Sequence, residues 1–94
     1  MASDHVFKAL ADPTRRQILK LLGRGEMSAG RIAERFDMTK PSMSHHFSVL
    51  KEADLVTTRR EGQQIVYALN ATVAQEALTW LWDLFGNGRS RRTP

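Results

Sequence analysis

The chain has no cysteine, which excludes disulfides, thiolate metal sites and thiol redox sensing together. It also lacks any run approaching the roughly 18 apolar residues of a membrane span, and its start has no signal-peptide apolar region. A cytoplasmic chain without direct membrane insertion is therefore expected. Internal repeats, linkers and low-complexity tracts are missing too. The acidic residues are scattered over helix starts and exposed faces, and none forms an obvious pair with a histidine or nucleophile. Gly23-Arg24-Gly25 lacks the longer glycine spacing and the following Lys-Ser/Thr of a phosphate loop. No enzyme is expected. Adjacent His45 and His46 would point about 100° apart on a helix, so they cannot easily share one ion. Asp4 and His5 are the other candidate donors of that kind, and neither a metal site nor a cofactor is expected.

What is present is enough for one small domain. Of 94 residues, 41% are hydrophobic, an ordinary share for a soluble globular chain, so disorder throughout is not expected. The net charge is +4, which favours a nucleic-acid partner. The last eight residues, however, contribute three arginines and no acid. Position must therefore carry the argument. The domain is expected over 1–86, with 87–94 a basic, disordered tail.

A first short helix is expected from Ser3 to Ala11, with Ser3 or Asp4 as cap and Val6, Phe7 and Leu10 as its apolar stripe. Asp12-Pro13 then starts a second helix through Ile18, Leu19, Leu21 and Leu22, stopped at Gly23-Arg24-Gly25. Ser28 opens a third, Ala29 to about Phe36, with Ile32, Ala33 and Phe36 inward. Arg31 in its first turn opposes the helix dipole. It is either a tolerated surface arginine or a cation placed to meet phosphate.

After the tight Asp37-Met38 connection, Thr39 caps a fourth helix with Pro41 in its first turn. Met43, Phe47 and Leu50 lie at i, i+4 and i+7 on one face. Pro41, Ser44, His45, Ser48 and Glu52 lie opposite, with Ser42 and Val49 to one side and Lys40 and Lys51 to the other. His46 falls about 60° from the apolar face, which implies a partly buried, supporting role. The period then changes to two extended runs, Leu55–Arg60 and Gln64–Leu69, around a turn at Glu61-Gly62-Gln63. Alternation along the second run should turn one face towards the helices. Thr72 to Gln75 reads as a capping box for a last helix to about Phe85. Its polar stripe is narrow, and its apolar arc exceeds the roughly 100° needed to cover one small core. The excess is expected to be a self-association surface, against the alternative of packing within the chain alone.

The order is α-α-α-α-β-β-α: mostly α with a β-hairpin, a winged helix-turn-helix. The fourth helix offers Lys40, Ser42, Ser44, His45 and Ser48 to a major groove, and Thr39 with the first-turn N–H groups can hold a phosphate. Arg59, Arg60, Gln63 and Gln64 cluster at the hairpin, where arginine can reach a minor groove or its flanking phosphates. The plain alternatives are a solvated helix face and a charged edge strand that discourages aggregation.

Ala11–Leu19 and Ser42–Val56 resemble the ArsR/SmtB winged-helix repressors, and Arg59–Leu69 looks like their wing. The resemblance implies a homodimer built on the first and last helices. It would place Val6, Phe7, Leu78, Trp80, Leu81, Trp82 and Phe85 at the interface. It also implies repression by binding a double-stranded operator, commonly of the regulator's own operon. Metal-sensing members carry cysteines around the third helix, where this chain has Ser28 and Arg31, or Asp and His on the last helix, which here has Asp83 and no histidine. Metal sensing is thus not implied. Pro41-Ser-Met-Ser-His-His46 and the Trp-rich end look closer to the SdpR-type autorepressor branch, in which some regulators are relieved by a sequestering membrane protein partner. The competing classes are a winged-helix protein-interaction module and a repressor controlled by a small molecule or a non-thiolate metal site.

Overall fold

A computed structural model describes residues 4–87; Ser3 and residues 88–94 of the expected tail lie outside the described residues. The first helix, α1, spans Asp4–Leu10, and α2 spans Pro13–Leu22. Between them Asp12 Oδ2 accepts from the N–H groups of Thr14 and Arg15 at 2.8 and 3.2 Å. This is the start that Asp-Pro announces, because the cap satisfies donors left free in the first turn. Burial disfavours the charged carboxylate, yet the two N–H donors outweigh it and hold Asp12 below the usual range.

A two-residue strand, β1 (Met27–Ser28), leads into α3, which is only Ala29–Ala33. Ser28 caps it by accepting from Arg31 N–H at 3.2 Å. The third helix thus ends a turn earlier than the periodicity suggests, and Phe36 is only partly buried. The fourth helix, α4, runs from Lys40 to Glu52, and the hairpin strands β2 and β3 occupy Val56–Glu61 and Gln64–Leu69. The hairpin becomes a three-stranded antiparallel sheet in the order β1-β3-β2, with Met27 opposite Tyr67 and Arg59 opposite Val66. Both faces of β3 are covered: Tyr67 is buried against Phe47 of α4, ring centroids 4.7 Å apart, and Val66 is buried on the other face. The expected turn of one face towards the helices is present at Tyr67, and Val66 on the other face is buried as well.

The core joins α1, α2, α3, α4 and the sheet, with Ile18, Ile32, Leu50 and Leu55 fully enclosed. Val49, expected beside the polar face of α4, is buried because β2 packs against that helix. The end of α4 is a left-handed cap. Asp54 has φ 57°, its N–H donates to Lys51 O at 3.0 Å, and Leu55 N–H donates to Leu50 O at 3.2 Å. Glycine suits that conformation best, since a Cβ there costs about 1–2 kcal/mol, less for Asp. Asp54→Gly is expected to stabilise the domain by about 0.5 kcal/mol after the glycine's extra chain entropy, raising Tm by a few degrees. A lower Tm in a thermal melt would show that the Asp54 side chain makes a stabilising contact of its own.

The last helix, α5, spans Ala71–Trp82 and continues as a π-helical turn, Asp83–Asn87. Its cap is Asn70, whose Oδ1 accepts from Val73 N–H at 3.4 Å, rather than Thr72 with Gln75. The reason is register: Asn70 N–H donates to Leu55 O at 2.9 Å, so the chain turns into the helix immediately after β3.

Candidate nucleic-acid interface

The recognition face of α4 is set by how the helix starts. Thr39 Oγ1 accepts from Ser42 N–H at 3.3 Å, and its hydroxyl donates to Ser42 Oγ at 3.0 Å. Ser42 keeps its own hydroxyl proton free to donate outward. Thr39, Lys40, Ser42, Ser44, His45 and Ser48 are all exposed, while Met43, Phe47 and Leu50 are buried beneath them. The helix is thus anchored on its apolar side and offers a row of hydroxyls, an imidazole and a lysine ammonium. Such a face carries no carboxylate until Glu52, so nothing on it repels a phosphate backbone.

His46 stands on the flank and is partly buried, as its helical angle implies, with its ring 5.8 Å from that of His45. It leads to a residue that the sequence does not mark out. Arg15 of α2 is 8% exposed, and its guanidinium lies 3.1 Å (Nη1) from His46 Nδ1. The same group donates from Nε to Ala9 O at 3.0 Å and from Nη2 to Lys8 O at 2.9 Å. Those carbonyls belong to the last turn of α1, where Lys8 O also accepts from Ala11 N–H at 3.2 Å and the guanidinium adds a second donor. One buried cation therefore ties α1, α2 and the recognition helix together. Arginine has no acceptor, so this contact is a hydrogen bond when His46 Nδ1 carries no proton, and Asp12 Oδ2 lies 3.9 Å from the same nitrogen. The available signal was Asp12 and Arg15 at i and i+3 across a helix start, which reads equally well as surface charge.

At the hairpin the expected basic residues part company. Arg60, Gln63 and Gln64 are exposed, and Gly62, at φ 63°, makes the turn. Arg59 is already occupied: it donates to Glu26 through two nitrogens at 2.5 and 2.7 Å and to Glu61 at 2.7 Å. Hydrogen bonding to Arg59 holds the Glu26 carboxyl below its usual range, and both acids raise the Arg59 guanidinium further. Arg59, expected as a DNA contact, is half-exposed and in the free chain clamps the wing to the segment before β1. Arg31 lines the same recess as Arg59, on the sheet face turned away from α4.

The first and last helices meet through Phe7 and Trp80, ring centroids 5.2 Å apart. Val6, expected at a subunit interface, is 2% exposed within the single chain and belongs to its core. Leu81 is half-buried, whereas Leu78, Trp82, Leu84 and Phe85 stand 54–69% exposed. Among the described residues no helix is long and apolar enough to cross a membrane, and no cluster of His, Cys, Asp and Glu could hold a metal ion.

Comparison with known proteins agrees with this arrangement. A helix-turn-helix domain family matches residues 10–59. The transcriptional repressor SdpR of Bacillus subtilis is 49% identical over 85 residues, covering 90% of this chain and 94% of that one. An arsenical resistance operon repressor of Staphylococcus aureus is 37% identical and covers 78% of this chain and 70% of its own length. A solved ArsR family transcriptional regulator, RHA00566, superposes with a TM-score of 0.84 at 30% identity, covering 92% of this chain and 94% of that one. A second, an ArsR-like regulator from Rhodococcus sp. RHA1, gives 0.78 at 30% identity over 94% of this chain and 82% of that one. With its helix-turn-helix, wing and over-apolar final helix, this chain belongs to the ArsR/SmtB family of winged-helix transcriptional repressors, of the SdpR type.

Proposed function

We propose that the chain works as a homodimer on a pseudo-palindromic operator in the cytoplasm, repressing its own operon without a cysteine-based metal signal. The observation that carries this reading is the anchored, carboxylate-poor face of α4, with Ser42, Ser44, His45 and Ser48 exposed together. Two such helices related by a dyad would enter successive major grooves about 34–36 Å apart. In this reading Ser42, Ser44, His45 and Ser48 meet base edges, whereas Thr39, Lys40, Arg60, Gln63 and Gln64 meet the backbone or the minor groove.

Footprinting on the DNA upstream of the chain's own gene locates the operator, and a gel-shift titration then tests the assignment. Ser44→Ala and His45→Ala are each expected to weaken operator binding by about tenfold and to relax preference at the bases they meet. Lys40→Ala should instead weaken binding to all sequences and lower the salt slope by about one. Wild-type titrations from both α4 variants would remove the recognition assignment.

A further inference from the structure

Behind the wing lies a second basic feature. An open cleft of about 450 Å³ is walled by the end of α2, β1, α3 and the two wing strands. That volume falls in the range of small-molecule sites. Its lining is mixed: Leu21 and Val66 give it an apolar part, and Arg24, Arg31, Arg35 and Arg59 with Glu26 and Glu61 make the larger polar part. Both carboxylates are spent on Arg59. The guanidinium groups of Arg24, Arg31 and Arg35 have no hydrogen bond or ion pair among the described residues. Three exposed guanidinium groups lining one recess leave it with positive charge that no carboxylate among its lining neutralises. The cleft also lies on the opposite sheet face from Tyr67, which packs on the recognition helix, so it is separate from the face offered to base edges.

We propose that this cleft is an effector site for a small organic anion bearing phosphate or paired carboxylates, held by Arg24, Arg31 and Arg35. Guanidinium groups bind such oxyanions two-pronged, and the apolar part of the lining takes the ligand's uncharged part. An anion here also competes with Glu26 and Glu61 for Arg59, the clamp that joins the wing to the segment before β1. Loosening that clamp changes the wing's position, so the ligand alters operator affinity and the operator alters ligand affinity by the same factor. This last step rests on the DNA-binding reading, whereas anion binding itself does not.

The test titrates the full chain with pyrophosphate and, separately, citrate, by calorimetry at constant ionic strength and without DNA. Saturable binding at one site per chain is expected, with a weakening of about tenfold or more in an Arg24→Gln/Arg35→Gln variant. Lys20→Gln, which removes an exposed charge of α2 outside the cleft, should leave the titration unchanged. Non-saturating binding, or equal loss in the Lys20 variant, would overturn the proposal, since either means general attraction to a basic surface. A second arm measures operator affinity with and without pyrophosphate. A shift in wild type that disappears in the double variant supports the coupling. If the operator site fails but pyrophosphate still saturates, the DNA reading falls and the anion site stands. If the anions do not bind but the double variant loses operator affinity and salt slope, the arginines follow DNA phosphates and the effector site is refuted.

Discussion

Arg15→Met is expected to destabilise the domain by about 3 kcal/mol and to lower its Tm by well over 10 °C. Methionine keeps much of the buried stem, so the loss isolates the guanidinium. That group serves Lys8 O, Ala9 O and His46 Nδ1 at 2.9, 3.0 and 3.1 Å in a setting only 8% exposed. A buried acceptor left unpaired costs about 1–3 kcal/mol, and the loss falls mainly on buried Ala9 O, with a smaller share at part-buried His46 Nδ1, because Lys8 O keeps the Ala11 N–H at 3.2 Å. Urea denaturation gives the magnitude, and a cycle with His46→Leu apportions it. The Arg15–His46 coupling should reach about 1 kcal/mol, with the remainder belonging to the α1 carbonyls. A loss below about 1 kcal/mol would mean that water replaces the guanidinium and that Arg15 is not the pin between α1 and α4.

The same residue shows where local sequence signals stop. Asp12-Pro13 and Thr39-Lys-Pro41 announce their helices because caps and first-turn prolines act within three or four residues. The face of α4 is legible for the same reason, since 3.6-residue periodicity is a local property. Nothing local marks Arg15 as buried, because its partner His46 lies 31 residues away. Arg59 reads as a free wing cation because Glu26 lies 33 residues earlier. The strand β1 has only two residues, too few for any period, and exists because β3 offers it an edge. For α5 two caps competed within three positions. The winner was decided by the hydrogen bond from Asn70 to Leu55, a tertiary contact that no capping rule contains. Arg31 and Arg59 are expected among the DNA contacts from their places in a first helical turn and on the wing. Their shared recess is visible only once the sheet has two distinct faces.

Leu78→Glu/Trp82→Glu is expected to give a monomer at micromolar concentration and to weaken operator binding by about a hundredfold or more. Leu78 and Trp82 lie at i and i+4 on one exposed side of α5, about 100° or more round the helix from buried Ala77, and Phe85 follows, exposed, in the π-helical turn. Trp82 is 69% exposed and its indole lies over Gly86, where an added Cβ would come within 3.1 Å of the ring. The side chain is thus supported from below and presented outward, the condition for an interface anchor worth about 2 kcal/mol or more. Glutamate at two such positions would bury opposed carboxylates across a dyad, which no partner copy compensates. Because both side chains are exposed in the single chain, the far-UV circular dichroism spectrum should be retained, although loss of a partner lowers Tm in a concentration-dependent way. Sedimentation reads the mass, and the gel shift reads the DNA. A variant that stays dimeric places the interface elsewhere. A monomer with wild-type operator affinity would show that a single α4 and wing suffice, and the dyad would then have no part in recognition.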